Sequence, residues 1–216
     1  MSIAVSDALF ERRVVALADV WTLWTEVGRS LGRLWHAPTR CTGWDVAAVY
    51  AHVAGFPALL ARGLPSTDGQ ATPPTTAAGI LRGFNSFNGP AEQMAASVAD
   101  AAVGRAGAVG DPGELVQPFA DDGPRAIATL RAADAETLVP WPAAGTSIRL
   151  VEAVRIILME SVVHLLDVLD AVGMSPAVAD DALQETAALL AEVADPIAFI
   201  EAATGRADHS PLPVIR

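Results

Sequence analysis

Residues 148–173 read IRLVEAVRIILMESVVHLLDVLDAVG. Ile148, Leu150, Val151, Val154, Ile156, Ile157, Leu158, Val162, Val163, Leu165, Leu166, Val168 and Leu169 leave almost no polar side to a helix written over 148–172 and ended by Gly173. A helix apolar nearly all round belongs in the middle of a bundle, where every face meets another helix. Glu152, Arg155, Glu160, His164, Asp167 and Asp170 interrupt the stretch too often for a membrane span.

Helical periodicity continues outward from this segment, and no stretch reads as a convincing alternating strand. Upstream, Leu9, Val14, Leu17, Val20, Trp21, Trp24, Val27, Leu31 and Leu34 predict a long amphipathic helix over 6–34, stopped by Ala37-Pro38. Asp45 can cap a second helix to about Arg62, with Pro57 ending it early or bending it. The Pro/Thr/Ser/Gly-rich segment Gly63 to Thr76 is expected to be a loop. A third helix is predicted over 77–91, weakened by Gly83 and Gly89-Pro90 and continuing to about Val103. After the Gly-rich 104–113 come a short helix at 122–133, an irregular connection at 134–147 and, beyond the central segment, a helix over about 177–203. The sum is an all-α bundle over 1–175, with 176–216 as a C-terminal helix and tail packed on it.

Composition narrows the function. The chain has 216 residues, 52% hydrophobic and 18% charged, which is enough for a sizeable core and too apolar for disorder. All 14 basic residues are arginine, against 25 acidic residues, for a net charge of -11. Such a surface repels phosphate backbones and anionic membranes, so no nucleic-acid or membrane partner is expected. One cysteine, Cys41, excludes an internal disulfide and any multi-cysteine metal site. Asp7 and Glu11 interrupt what a signal peptide would need, and a cytoplasmic location is expected. An apolar bundle of this size often dimerises, which makes a homodimer a candidate assembly.

Two ionisable residues stand out inside the most apolar helix. Glu160 and His164 are four apart, hence on one face and within reach of a single ion. Burying both among Ile, Leu and Val is costly unless each is paired or bound to a metal. The simpler alternative is a Glu160–His164 pair extended by Asp167. His52, between Val49 and Phe56 beside the apolar stripe of the second helix, adds a third candidate. His52, Glu160 and His164 together have the ligand chemistry of a catalytic Zn²⁺ with one position open. Asp167 is then a candidate acceptor for an imidazole N–H. Spacing alone does not bring the two helices together.

The segment Pro38-Thr39-Arg40-Cys41-Thr42-Gly43-Trp44-Asp45-Val46, followed by Ala51-His52-Val53, resembles the "pT.CpGWtV…aHl" signature of the DinB-like, mycothiol-dependent maleylpyruvate isomerase family. Glu160 to Asp167 with Ala171-Val172-Gly173 is similar to its "E..vH..D…a.G" segment, and Phe199 to Arg206 to its closing "f…atGR". The resemblance implies a DinB-like four-helix bundle, with additional short helices here, binding one divalent metal, usually zinc, through His52, Glu160 and His164. It also implies that the open metal position receives a low-molecular-weight thiol, mycothiol in actinobacteria, for thiol transfer or isomerisation of a small electrophile. Thr42 replaces the usual Pro, Ala47-Ala48 a common Arg-Asp pair, and Ile157 a frequent Arg. These departures leave the three ligand positions intact and argue against maleylpyruvate itself as the substrate.

Two other readings use the same residues: a hydrolase acting through metal-activated water, and a non-catalytic metal-binding or regulatory protein. Trp44 is expected as a core anchor that also borders a substrate. Arg82, Asn85 and Asn88 are candidate substrate contacts, although polar residues at such positions are more often merely exposed. Cys41 precedes a helix N-terminus, yet a packed apolar thiol beside Trp44 is the favoured expectation because no partnered base is evident. No phosphate-binding loop, dinucleotide fingerprint or serine-nucleophile motif occurs.

Overall fold

The computed structural model describes residues 3–64 and 75–215, so most of the predicted Gly63–Thr76 loop lies outside the described residues. Two long helices form the axis. Helix α1 (Ile3–Ser30) lies along α7 (Leu150–Ala171), which carries the apolar segment described above. Ser161, fully buried on α7, fixes their register. Its Oγ accepts from Trp21 Nε1 at 3.1 Å and its carbonyl from Trp24 Nε1 at 3.0 Å. Both indoles thereby bury their rings without orphaning a donor. Trp24 also stacks on Phe119, with centroids 5.0 Å apart, and meets the edge of Tyr50, whose hydroxyl donates to the Trp24 carbonyl.

Helix α1 ends four residues earlier than its periodicity suggests. Gly32 takes a φ of +53°, and the chain tightens into a short turn, Gly32–His36, that still buries Trp35. Helix α2 (Val46–Val53) starts where expected, its first turn capped by Asp45, which accepts from the Ala48 amide at 2.9 Å. It gives way to α3 (Gly55–Leu60), with Pro57 inside the first turn of the new helix, where a missing N–H costs nothing. Helix α2 packs on α5 and α7, and α3 on α6.

The predicted third helix is two. Helix α4 (Ala77–Phe84) stops at a turn in which Asn88 has a φ of +54°, and α5 (Pro90–Gly107) begins with Pro90 in its first turn. Helix α6 (Gly123–Arg131) follows. The connection expected to be irregular contains a small antiparallel hairpin, a correction to the strand-free reading. Strands β1 (Leu138–Trp141) and β2 (Thr146–Arg149) pair Leu138 with Arg149 and Trp141 with Thr146 around Gly145 at φ +61°. The last predicted helix is also divided. Helix α8 (Asp180–Val193) ends before Asp195, which caps α9 (Pro196–Ala203) by accepting from the Ala198 amide.

Helix α8 packs on α7, α4 and α1, and ion pairs tie it to α7 and α1. Arg13, nearly buried, reaches the Val151 carbonyl, Glu152 and Glu185. Arg155, equally buried, grips Glu185 at 2.7 Å and both oxygens of Glu192. No helix among the described residues is long and apolar enough to cross a membrane.

Candidate metal centre

On α7, Glu160 and His164 stand one helical turn apart on the side that faces α2, and α2 presents His52 toward them. Glu160 Oε2 lies 3.6 Å from His164 Nε2 and 3.7 Å from His52 Nε2. The three ligand atoms all fall within 4.8 Å of one another. A tetrahedral zinc with bonds of about 2.0–2.1 Å sets its ligands about 3.3 Å apart, so the two Glu160–histidine pairs need close by only a few tenths of an ångström. Two imidazoles and one carboxylate are also a donor set that zinc accepts. The side chains are 20%, 27% and 16% exposed for His52, Glu160 and His164, so the centre is only partly buried. Glu160 faces these imidazoles and, among the described residues, ion-pairs with no arginine.

The electrostatics follow from this crowding. Burial alone would raise the Glu160 carboxyl, but the imidazoles of His164 and His52, 3.6 and 3.7 Å away, overcome it with their charge and hold the group at about 2. Burial likewise works to lower His164, yet Asp167, Cys41 and Glu160 stabilise its protonated form and push it well above 6.5. In the absence of an ion, protonated imidazole thus takes the place of the positive charge. A metal that binds His164 displaces a proton wherever the imidazole is protonated.

A second layer holds His164 in place. Its Nδ1 lies 3.0 Å from Asp167 Oδ2, so the expected imidazole–carboxylate contact is present in the geometry. The same oxygen accepts the Cys41 thiol at 3.2 Å, and Asp167 Oδ1 accepts from Arg40 Nε and Nη2 at 3.2 and 3.0 Å. Burial would raise the Asp167 carboxyl, but these partners lower it. The sequence reading of Cys41 as an inert packed thiol is therefore corrected: it is half-buried and has a carboxylate partner. Arg40 was not singled out at all. Both lie more than 120 residues from Asp167, and no local pattern announces so distant a pairing.

Trp44 walls the centre, its ring centroid 5.0 Å from that of His52 and 5.9 Å from that of His164. Phe56, one turn beyond His52, stands edge-on to it at 6.5 Å. The other candidate substrate contacts lie on α4 and in the turn that follows it. Arg82 donates to the Glu192 and Val193 carbonyls and so closes the C-terminal end of α8. Asn85 Nδ2 donates to the Leu81 carbonyl at the end of α4. Asn88 is exposed in the tight turn and its carbonyl accepts from Gln93. His36, at the end of the turn after α1, pairs with the capping Asp45 at 3.0 Å.

The model of one family, the mycothiol maleylpyruvate isomerase N-terminal domain, matches residues 17–169, a span that runs from α1 through the whole of the His52, Glu160 and His164 set. The chain belongs to this family. No curated protein and no solved structure matches it. The all-α fold of this mycothiol-related family member holds a cluster that could bind a metal ion, and that cluster uses the residues on which the family resemblance rests.

Proposed function

We propose that this family member is a metal-dependent enzyme, with zinc as the metal, that uses a low-molecular-weight thiol such as mycothiol to transfer sulfur to, or isomerise, a small electrophile. The convergence of His52, Glu160 and His164 from two helices within 4.8 Å supports the reading most strongly. Bound there, zinc would supply the acidity that keeps a coordinated thiol as a thiolate near neutral pH.

The chain's own residues have separable parts in this scheme. His52 and His164 offer Nε2, and Glu160 offers Oε2. With a single negative charge among the three ligands, a divalent ion keeps one net positive charge for an anionic sulfur. Asp167 holds the His164 ring through Nδ1. Trp44 and Phe56 give the rim an apolar surface that limits water and suits an uncharged electrophile. The reading includes a cytoplasmic location, where small thiols stay reduced, and no nucleic-acid partner, in keeping with the net charge of -11.

Elemental analysis of the purified protein tests it. One zinc per chain is expected, falling to none in His52→Ala or His164→Ala while the helical circular dichroism is kept. Thiol consumption with an electrophile should require both metal and mycothiol. One tight zinc per chain in a variant lacking both histidines would show the site assignment to be wrong. Turnover without any thiol would replace the transferase reading by hydrolysis.

A further inference from the structure

Asp167 is the junction between the centre and the loop at 39–44. The Asp167 side chain is only 11% exposed, so each oxygen needs compensation. Its two oxygens are shared out: Oδ1 takes two N–H groups from Arg40, while Oδ2 takes the Cys41 thiol and faces His164 Nδ1. A carboxylate held on one edge only could turn about its terminal torsion, which is soft. Gripped on both edges, it presents Oδ2 to the His164 ring in one orientation.

That orientation selects one tautomer. With the proton on Nδ1, the ring donates to Asp167 and leaves the Nε2 lone pair on the side of Glu160 and His52. The opposite tautomer would set a lone pair on Nδ1 against the carboxylate, 3.0 Å away. The loop that delivers the grip is itself braced. The Thr39 amide and hydroxyl both donate to the Trp44 carbonyl, the Cys41 amide donates to Thr39 Oγ1, and Gly43 turns the chain at φ +82°. Arg40, Cys41 and Trp44 therefore arrive at the centre as one unit.

We propose that Arg40 and Cys41 are positioning residues for the metal ligand His164, acting through Asp167. This rests on the reading that His52, Glu160 and His164 hold the metal. Cys41 Sγ, His164 Nδ1 and an Asp167 oxygen also fall within metal-ligand range of one another. Arg40, 3.0 Å from the same carboxylate, sets a positive charge where a second cation would sit, so the geometry favours a hydrogen-bonded triad.

Zinc affinity by chelator competition on the full chain tests the proposal, with stoichiometry measured alongside. Cys41→Ala and Arg40→Ala should each bind one zinc up to about 10-fold more weakly, less than removal of Asp167, the direct outer partner of the ligand histidine, would cause. Cys41→Ser, which keeps a donor, should recover most of the affinity. The visible spectrum of bound Co²⁺ should change in the alanine variants, although their metal-free circular dichroism does not. Wild-type affinity in both alanine variants overturns the proposal alone. So does a second metal lost on Cys41→Ala, which would make the thiol a ligand. A wild-type chain that binds no zinc overturns the ligand reading and this proposal with it. Nitrogen-15 NMR of the unmutated zinc protein is independent of variant folding: His164 protonated on Nδ1 supports the proposal, and protonation on Nε2 refutes it.

Discussion

Removing the metal and acidifying the protein should expose the electrostatics of the Glu160 cluster. Glu160 is held at about 2 against an ordinary 4.5. At about 1.36 kcal/mol per unit, a depression of roughly 2.5 units corresponds to about 3 kcal/mol of stability. The side chain is 27% exposed, and solvent screening reduces the expectation to about 2 kcal/mol. Because the folded-state value is depressed, this contribution is complete above 4.5 and disappears as the pH falls toward 2. His164 has the opposite sign. Its value is raised, so its contribution is complete below 6.5 and disappears as the pH climbs through the raised value. The metal-free protein should therefore be most stable between about pH 4.5 and 6.5, where both contributions are present.

Urea unfolding of chelator-treated protein, followed by far-ultraviolet circular dichroism across this range, measures the effect. Wild type should lose about 2 kcal/mol more than Glu160→Gln on acidification from pH 4.5 toward 2. Parallel losses in the two proteins would refute the reasoning. Zinc-loaded protein should behave differently, because the ion needs a neutral imidazole and protons compete with it. Its stability should keep rising above pH 6.5, where that of the stripped protein declines.

Three further substitutions probe the scaffold. A Cβ at Gly28 would lie 2.6 Å from a Val116 methyl and 3.1 Å from the Tyr50 ring, so Gly28→Ala should cost about 1–3 kcal/mol by thermal or urea denaturation. Arg155→Ala strips Glu192 of its cation and leaves Glu185 with Arg13 alone; with Glu192 half exposed, a loss of about 1–3 kcal/mol is expected, and urea unfolding should detect it. Ser161→Ala orphans the buried Trp21 indole N–H and should cost about 1–3 kcal/mol, with zinc content unchanged by elemental analysis.

How far the sequence could be read depended on the distance over which each feature is specified. Helix α7 was legible because twelve of the thirteen apolar residues named above lie on it, on every face, and need a surrounding bundle, whatever the details. The Asp45 cap is a local signal and was equally plain, whereas Gly89-Pro90 reads as a weak point in one helix and is in fact the start of a second. The hairpin was hidden because its strands are four residues long and contain Pro140, too few positions for alternation to register. The break between α8 and α9 could have been found: Asp195-Pro196 is a cap followed by a first-turn proline, masked by Ala-rich periodicity running through it. The site divided in the same way. Glu160 and His164 announced themselves by sharing one helix face, and His52 by its place beside an apolar stripe. The partnership of Arg40 and Cys41 with Asp167 depends on how a loop folds back across the bundle, which no spacing encodes.

Helix α7 meets α1 through Ser161 and turns Glu160 and His164 toward α2. The contacts that fasten the helix in the core and the groups available for chemistry thus occupy different sides of one rod. Substitution among the reactive groups can proceed while the fastening side stays as it is. A lineage built on this arrangement can exchange substrates, swap ions or fall silent as a catalyst without first having to reinvent its scaffold.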